Sequence, residues 1–381
     1  MKIVAIERDK TACNYYRILS PLSHLDEQGL AEVYFLNEND LHTDRAIQTA
    51  LMSDIIVFQR PSTETWFKLI KTCQKYGKLV VCDYDDDPFN TSPLNPYYQY
   101  VGVEEVQWQW PDGTKEWLWS EGMMSASGNK IFDIERNIAN RDMFSLSFKK
   151  ADLVTCTTSN LQSEFLKINS NTAILPNLID LDFFPSGIEF KKKEVRIGWQ
   201  GGASHYEDLY EIKDAIKEVL VKNENTKFIY FGDMRFHGLF KDINPSQIEF
   251  HSWINHSAYP YKLATLNLDI GLCPITDNPF NRNKSSIKWM EYSALGIATV
   301  ATNIPPYSID ISDRETGLLV ENNTKSWFDN ISGLALNYEL RNKLSKQAYS
   351  QVEANYNIKN KAHLWLDAYS KLMNPEVANV I

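Results

Sequence analysis

Asn278-Pro-Phe-Asn-Arg-Asn-Lys-Ser-Ser-Ile-Lys-Trp-Met-Glu-Tyr-Ser-Ala-Leu-Gly-Ile-Ala-Thr-Val-Ala-Thr302 is the stretch on which the fold turns. It reads as a helix over Lys284–Leu295 followed by a β-branched strand over Ile297–Ala301. On such a helix Lys284, Lys288, Glu291 and Leu295 share one narrow stripe, and Ile287, Met290 and Ala294 form an apolar stripe beside it. A helix between two buried strands has its charged stripe partly enclosed, and enclosed charge needs partners. A phosphate meets that need for a lysine, and paired hydroxyls meet it for the glutamate. The Ser285 and Ser286 amides would add the positive end of the helix dipole. The spacing equally allows a Lys288–Glu291 pair on a solvated face.

Outward from this stretch, strands of near-continuous apolar character alternate with helices, the signature of a parallel sheet covered on both faces. Lys2–Ile6, Glu32–Leu36, Asp54–Gln59, Lys78–Cys82, Leu153–Thr157 and Ala173–Leu175 read as strands of one Rossmann-like half. Val195–Gln200, Lys227–Phe231, Ile248–His251, Leu268–Leu272 and Ile297–Ala301 read as strands of a second. Helices fall between them, and three more close the chain, the last over Lys359–Met373. A turn-rich, lysine-rich stretch over Phe184–Lys193 is the natural linker. The expected fold class is α/β, with domains at 1–187 and 188–355 and a final helical segment at 356–381 crossing back to the first. An excursion over residues 88–130 carries Trp108, Trp110, Trp117 and Trp119, which either stack on sugars or bases or form a hairpin turning at Pro111–Thr114 and covering the core.

The 381 residues are 43% hydrophobic and 23% charged, which excludes a disordered, collagen-like or disulfide-scaffold chain. The longest apolar runs are a few residues long, so no bilayer span is expected, and the charged N-terminal segment has no signal-peptide character. Thirty-nine Lys and Arg against 49 Asp and Glu give a net charge of -10, which weakens the case for nucleic acid or anionic lipid while leaving room for a local basic groove. Five scattered cysteines without any Cys/His cluster fit a reduced, cytoplasmic location and no structural metal.

The Asn278–Thr302 run resembles the donor-binding segment of GT-B glycosyltransferases, close to family 4, where a helix bearing a characteristic Glu precedes an A-L-G-x-P-V-V-A-T-like strand. The resemblance implies two Rossmann-like domains facing across a cleft and transfer of a sugar from a nucleoside diphosphate with retention of configuration. By it Glu291 would hold the donor ribose and Lys284 the diphosphate, with Arg282 assisting. The family commonly has two glutamates eight positions apart, and Asn283 stands where the first would be.

Arg196-Ile-Gly-Trp-Gln-Gly-Gly-Ala-Ser-His205 runs from a strand into Gly201-Gly202 and a helix, so its amides can approach a phosphate with no Cβ in the way. A tight turn without ligand is the bland alternative; the place in the chain resembles the family's donor-phosphate loop. His205 would then bond a phosphate or sugar, or simply face solvent. Asp83-Tyr-Asp-Asp-Asp87 lies at the carboxyl end of a buried strand, where open α/β sheets bind ligands. Crowded carboxylates raise one another's pKa, so Asp85 or Asp86 can serve as a base with Asp87 beside the acceptor; the bland alternative is an N-cap cluster and surface charge. Read as a DxD pair, Asp83 and Asp85 would instead bind the metal of a GT-A enzyme. Tyr15 and Arg17 follow the first strand, where Arg17 would meet an acceptor anion or be paired on the surface, and Asn177 resembles the family's turn before the linker.

The expected activity is a metal-independent transfer from an NDP-sugar, a UDP-sugar foremost, with no obligatory cofactor. Two acceptors fit: a bacterial surface glycan, or hydroxymethylated pyrimidine in DNA. The second rests on the resemblance of Phe132–Asn137 and of the segment from Lys149-Lys150 to bacteriophage glycosyltransferases. It requires a basic strip, with Lys149, Lys150 and Lys191–Lys193 as candidates. An NAD-dependent oxidoreductase is disfavoured because no GxGxxG follows either opening strand. A degenerate, non-catalytic relative is the remaining alternative.

Overall fold

Largely buried, apolar strands dictate the architecture of a computed structural model that describes residues 1–37, 40–41, 43–109, 113–185 and 194–374. Residues Met1–Leu178 with the C-terminal segment from Lys361 form one compact unit, and Ile179–Asn360 form the other. The linker from Ser186 to Lys193, including Lys191–Lys193, and Trp110, Pro111 and Asp112 of the aromatic excursion lie outside the described residues.

In unit 1, β1 (Lys2–Glu7), β2 (Glu32–Asn37), β3 (Ile55–Gln59), β4 (Leu79–Tyr84), β7 (Leu153–Cys156) and β8 (Thr172–Ile174) make a parallel sheet of order β2-β1-β3-β4-β7-β8. All five residues of β3 are buried, as a strand covered on both faces requires. Phe58, Trp66, Ile70, Phe144 and Phe148 pack in its core. β5 (Val106–Gln109) and β6 (Lys115–Trp119) pair antiparallel, so the aromatic excursion contains a hairpin. Trp119 packs on Tyr98 and Phe132, with ring centroids 5.9 and 5.5 Å away, and its indole donates to the Pro93 carbonyl at 2.6 Å; Trp117 is exposed. The helix His363–Met373 belongs to this unit and packs against Ser20–Glu27.

Unit 2 holds β9 (Val195–Gly201), β10 (Thr226–Gly232), β11 (Ile248–Ser252), β12 (Ile270–Cys273), β13 (Ala298–Thr302) and β14 (Leu318–Val320), again parallel, in the order β11-β10-β9-β12-β13-β14. β14 was too short and too weakly bounded to stand out in the sequence. Side-chain caps set several helix starts one to three residues past the apolar periodicity: Thr63 accepts from Trp66 N at 3.4 Å and Asp133 from Arg136 N at 2.9 Å.

Both sheets reverse their strand order once. In unit 1 the chain leaves β1 toward β2 on one side and toward β3 on the other. In unit 2 the same occurs at β9, flanked by β10 and β12. The crevice outside the carboxyl ends of the strands at such a switch point is where open α/β sheets take ligands. Each unit therefore presents one such place.

Candidate active site

The helix of the deciding stretch begins later than its periodicity suggests. A short turn of helix, Pro279–Arg282, is capped by Asn278, and the main helix runs Ile287–Ala294. Lys284 and Ser285 therefore lie in the connecting turn, ahead of the helix rather than on it. The Lys284 ammonium is half-buried and sits 4.9 Å from the centre of the Phe280 ring.

Lys288 and Glu291 are 7% and 4% exposed, which removes the solvated-face alternative. Glu291 Oε2 accepts from Gln200 Nε2 and from the Tyr259 hydroxyl, both at 2.8 Å. Gln200 is on β9 next to Gly201, so the carboxylate is fixed at the switch point. Lys288 Nζ lies 2.9 Å from His205 Nε2, and His205 Nδ1 lies 2.7 Å from Asp208 Oδ2. Asp208 Oδ1 accepts in turn from Thr276 N at 2.8 Å and Asn281 Nδ2 at 3.2 Å. One tautomer satisfies this chain: Nδ1–H donates to Asp208 and Nε2 accepts from the lysine. Burial, then the charges of Lys288 and Lys284, push the imidazole down to about 3, so it is neutral at physiological pH. Burial, then Lys284, brings Lys288 down to about 8. His205 is thus neither a phosphate ligand in this arrangement nor a solvated helix start: both ring nitrogens are engaged, and it aims Lys288.

A Cβ on Gly201 would come 2.5 Å from the Trp199 ring, and one on Gly202 would meet only Trp253, at 3.6 Å. Gly201 is therefore required by packing, whereas Gly202 keeps the loop backbone open. Gly232, paired with Gly201 across the sheet, has φ +147° and would drive a Cβ to 2.0 Å from the Gly201 carbonyl oxygen. The helix after this loop, Tyr206–Lys222, carries Glu207 and Asp208 in its first turn, which offset its dipole. Positive charge for an anion here comes from lysine rather than from that helix end.

The side chains of two expected donor residues, Arg282 and Ser286, are otherwise engaged, while the expectation for Ser285 and Ser286 concerned their backbone amides. Arg282 is exposed and forks onto Asp277 at 2.5 and 2.7 Å. Ser286 is buried and its hydroxyl donates to Asp310 at 2.5 Å. Ser285 is half-buried in the connecting turn.

In unit 1 the corrections are larger. Arg17 is 1% exposed: Nε and Nη2 bind the two oxygens of Asp83 at 3.0 and 2.6 Å, and Nη1 bonds the Leu175 carbonyl and, at 3.3 Å, Asn177 Oδ1. It meets neither an acceptor anion nor the surface. Asp83 Oδ2 also accepts from the Thr155 hydroxyl at 2.6 Å, so this carboxylate is spent and the DxD reading of Asp83 and Asp85 loses its first member. Asp87 is fully buried and accepts from Phe89 N at 2.8 Å and Asn90 Nδ2 at 2.7 Å, a turn role rather than an acceptor-side one. Asp85 is not raised toward a base: burial pushes it up, but Arg60, a Cys13 contact and Arg17 together outweigh that and hold it below the usual carboxylate range. Asp86 is half-buried, and Tyr15 is half-buried with its ring edge-on to Tyr16 at 5.2 Å.

Sequence reading missed Gln200 and Tyr259, the two groups that hold Glu291, and Arg60, which faces Asp85. Arg60 had a signal. It follows a buried strand end as Asp83–Asp87 do, and the carboxyl-edge rule applied to β4 applies equally to β3.

No protein-family model matches this sequence, and no curated protein matches it. Solved structures do match in shape. Sucrose-phosphate synthase from Thermosynechococcus elongatus aligns with TM-score 0.64 at 13% identity, covering 98% of this chain and 100% of that one. HepE from Anabaena, solved with UDP-glucose, aligns with TM-score 0.63 at 12% identity over 97% of this chain and 100% of its own. A glycosyltransferase from Rickettsia africae aligns with TM-score 0.62 at 13% identity over 98% of each chain. The fold is GT-B. Two parallel six-stranded sheets, each with one order reversal, are the pattern expected of that fold and not of GT-A, which has a single nucleotide-binding domain. Among the described residues no helix is long and apolar enough to cross a membrane.

Proposed function

We propose that the protein transfers a sugar from a UDP-sugar to a hydroxyl acceptor, with unit 2 as the donor half and unit 1 as the acceptor half. One observation carries this reading: Lys288, a buried ammonium whose hydrogen-bond partner is a neutral imidazole, beside a buried carboxylate held by Gln200 and Tyr259. A buried cation without a full counter-charge is costly, and a bound diphosphate relieves that cost. Lys288 and the half-buried Lys284 would take the phosphate oxygens, the Gly202 amide would approach them without a Cβ between, and Glu291 would accept from the ribose hydroxyls. HepE, solved with UDP and with UDP-glucose, supports the choice of base among structures of this shape.

The chemistry follows from charge. As the bond from the sugar carbon to the diphosphate oxygen breaks, negative charge collects on the leaving phosphate, and the two lysines stabilise it where it forms. The acceptor hydroxyl forms the new bond to the sugar carbon and gives up its proton to a carboxylate, for which Asp86, or Asp85 in spite of its lowered pKa, is our candidate. We assign retention of configuration, as the resemblance implies, and no obligatory metal, because Lys288 and Lys284 would supply fixed positive charge to the leaving phosphate. The five free cysteines fit a reducing cytoplasm.

The test is a thermal-shift panel of UDP, GDP, ADP, CMP and dTDP with their sugar conjugates, on the full chain and on Lys284→Ala and Glu291→Ala. Selective protection by UDP and one UDP-sugar, lost in both variants, is the expected result. Protection by none of them would favour a non-catalytic protein of the same fold.

A further inference from the structure

The switch point of unit 1 carries unmet hydrogen-bonding capacity that the transfer reading does not use. Four buried side-chain atoms there make no hydrogen bond among the described residues: Asn14 Oδ1, Gln59 Nε2, Arg60 Nε and Asp85 Oδ1. Asn14 and Gln59 are only 3% and 1% exposed. Buried polar groups in folded proteins are almost always paired, so a cluster of exceptions calls for a partner from outside.

The four belong to one place. Ile6 pairs with Phe58 across β1 and β3, which sets the ends of those strands side by side. Asn14 Nδ2 donates to Glu7 Oε1 at 2.6 Å, and Gln59 Oε1 accepts from Arg8 N at 3.0 Å, so each amide is pinned by one end and leaves the other unmet. Arg60 Nη2 donates to Asp9 at 2.6 Å, while its Nε lies 3.7 Å from Asp85 Oδ1, beyond hydrogen-bond length. Arg60 holds φ +47°, a left-handed conformation rare for a residue with a side chain, and its amide is tied to the Asp83 carbonyl at 3.0 Å. Such backbone persists where the surroundings impose it, and it clusters at ligand sites.

We propose that this edge of β1, β3 and β4 binds the hydroxyls of a neutral sugar acceptor, Gln59 Nε2 and Arg60 Nε donating to them and Asn14 Oδ1 and Asp85 Oδ1 accepting from them. The proposal rests on the transfer reading above and names its acceptor class. A hydroxyl both donates and accepts, so neighbouring hydroxyls of one ring can satisfy all four atoms. A phosphodiester only accepts: it would serve Gln59 and Arg60, leave Asn14 and Asp85 unmet, and set its charge against Asp9, Asp85 and Asp86.

The two described lysines of the expected basic strip point the same way. Lys149 and Lys150 end the helix Ile134–Lys150, which leads into β7, and Gln74 Nε2 donates to the Lys150 carbonyl at 2.8 Å just before β4 begins. They lie at the amino edge of the sheet, opposite the edge that carries Asp85. These two lysines therefore add no positive charge at the edge where Asp85 stands.

The experiment uses saturation-transfer NMR on the full chain. The probes are methyl glycosides of glucose, galactose, mannose and N-acetylglucosamine, against a short DNA duplex containing hydroxymethylcytosine. Variants Gln59→Glu and Arg60→Lys keep size and, for Gln59, the bond to Arg8 N, and UDP protection measured in parallel reports an intact unit 2. At least one glycoside should bind the wild type and lose tenfold or more in affinity in both variants, with UDP protection unchanged. Binding of the duplex with no glycoside, glycoside binding indifferent to both variants, or no binding of any probe would overturn the proposal. Failure of UDP to protect the wild type would count against the transfer reading alone. If a variant loses UDP protection and does not fold, Asn14→Leu, which is close in size and removes the acceptor Oδ1, replaces it, and the same tenfold loss of glycoside affinity is expected.

Discussion

Two buried cations, one in each unit, have opposite surroundings. Arg17 is 1% exposed and meets both oxygens of Asp83 and a backbone carbonyl; Lys288 is 7% exposed and meets an imidazole held neutral. For each, the sequence allowed either an anion of a substrate or an ion pair on the surface. Arg17 has its anion built in, fork to fork, which is the geometry that makes an ion pair structural. Lys288 has a neutral hydrogen-bond partner, and burial, with Lys284 nearby, lowers its pKa by more than Asp208 and Glu291 raise it. The difference teaches that the partner of a buried cation, more than its burial, separates scaffold from site.

The comparison breaks most readily at Arg17. Arg17→Met leaves the Asp83 carboxylate buried with only Thr155 beside it, and should cost about 3–5 kcal/mol of stability. Urea unfolding of the variant measures this. The double variant with Asp83→Asn should recover a good part of the loss, since no buried charge is left alone. A loss under about 1 kcal/mol in the single variant would mean that water reaches Asp83 and the pair is not structural.

Lys288→Met should do the reverse. It removes a desolvated ammonium, so thermal unfolding without ligand should occur at the same temperature or higher. UDP affinity, measured by titration calorimetry, should fall about 10- to 100-fold, as expected for losing a hydrogen bond to a charged group. A variant that is both less stable and unaltered in UDP affinity would make Lys288 a second Arg17.

How far this contrast was legible in the sequence differs by level. The strands β1, β3, β9 and β13 were readable because buried parallel strands are written as apolar runs, and such runs survive any neighbour. The stripe of Lys288 and Glu291 was readable because helical spacing fixes which residues share a face. Lys284 was misplaced because Asn278 caps a separate turn and delays the main helix to Ile287. What spacing could not give was the partner: Arg17 and Asp83 are 66 positions apart and His205 and Lys288 are 83, and pairs at such range exist only once the sheets form. Arg60 was legible by its place at the carboxyl end of β3, whereas its left-handed backbone has no mark in a sequence without glycine or asparagine there.

The pH dependence of binding sharpens the contrast further. The folded pKa of Lys288 is about 8 against an ordinary 10.5, so the ammonium is present at neutral pH and lost as pH rises through 8. The second phosphate ionisation lies near 6 and is complete by then, so the charge on the ligand's phosphates is constant over this range. UDP affinity should therefore hold up to about pH 8 and fall roughly tenfold by about pH 9. In Lys288→Met this slope should vanish. The protein without ligand should meanwhile gain stability between pH 8 and 10.5, where the unfolded chain binds the proton and the folded one does not. A slope retained in the variant would assign the titration to another group.

The smallest effect tests the imidazole that makes Lys288 different. His205 titrates at about 3 in the folded protein against an ordinary 6.5, so the unfolded state takes up the proton first as acid is added. Its contribution is full above pH 6.5 and is lost progressively as pH falls from 6.5 toward 3. One unit below the ordinary value the wild type should be less stable by about 1 kcal/mol than at neutral pH on this account. His205→Gln keeps a donor and an acceptor for Asp208 and Lys288 but cannot titrate. Its stability between about pH 7 and 5.5 should fall less than that of the wild type by that amount, read from urea midpoints at the two pH values. Equal acid sensitivity would show that His205 already carries a proton near neutrality. It would then repel Lys288 rather than accept from it, and the distinction between the two buried cations would disappear.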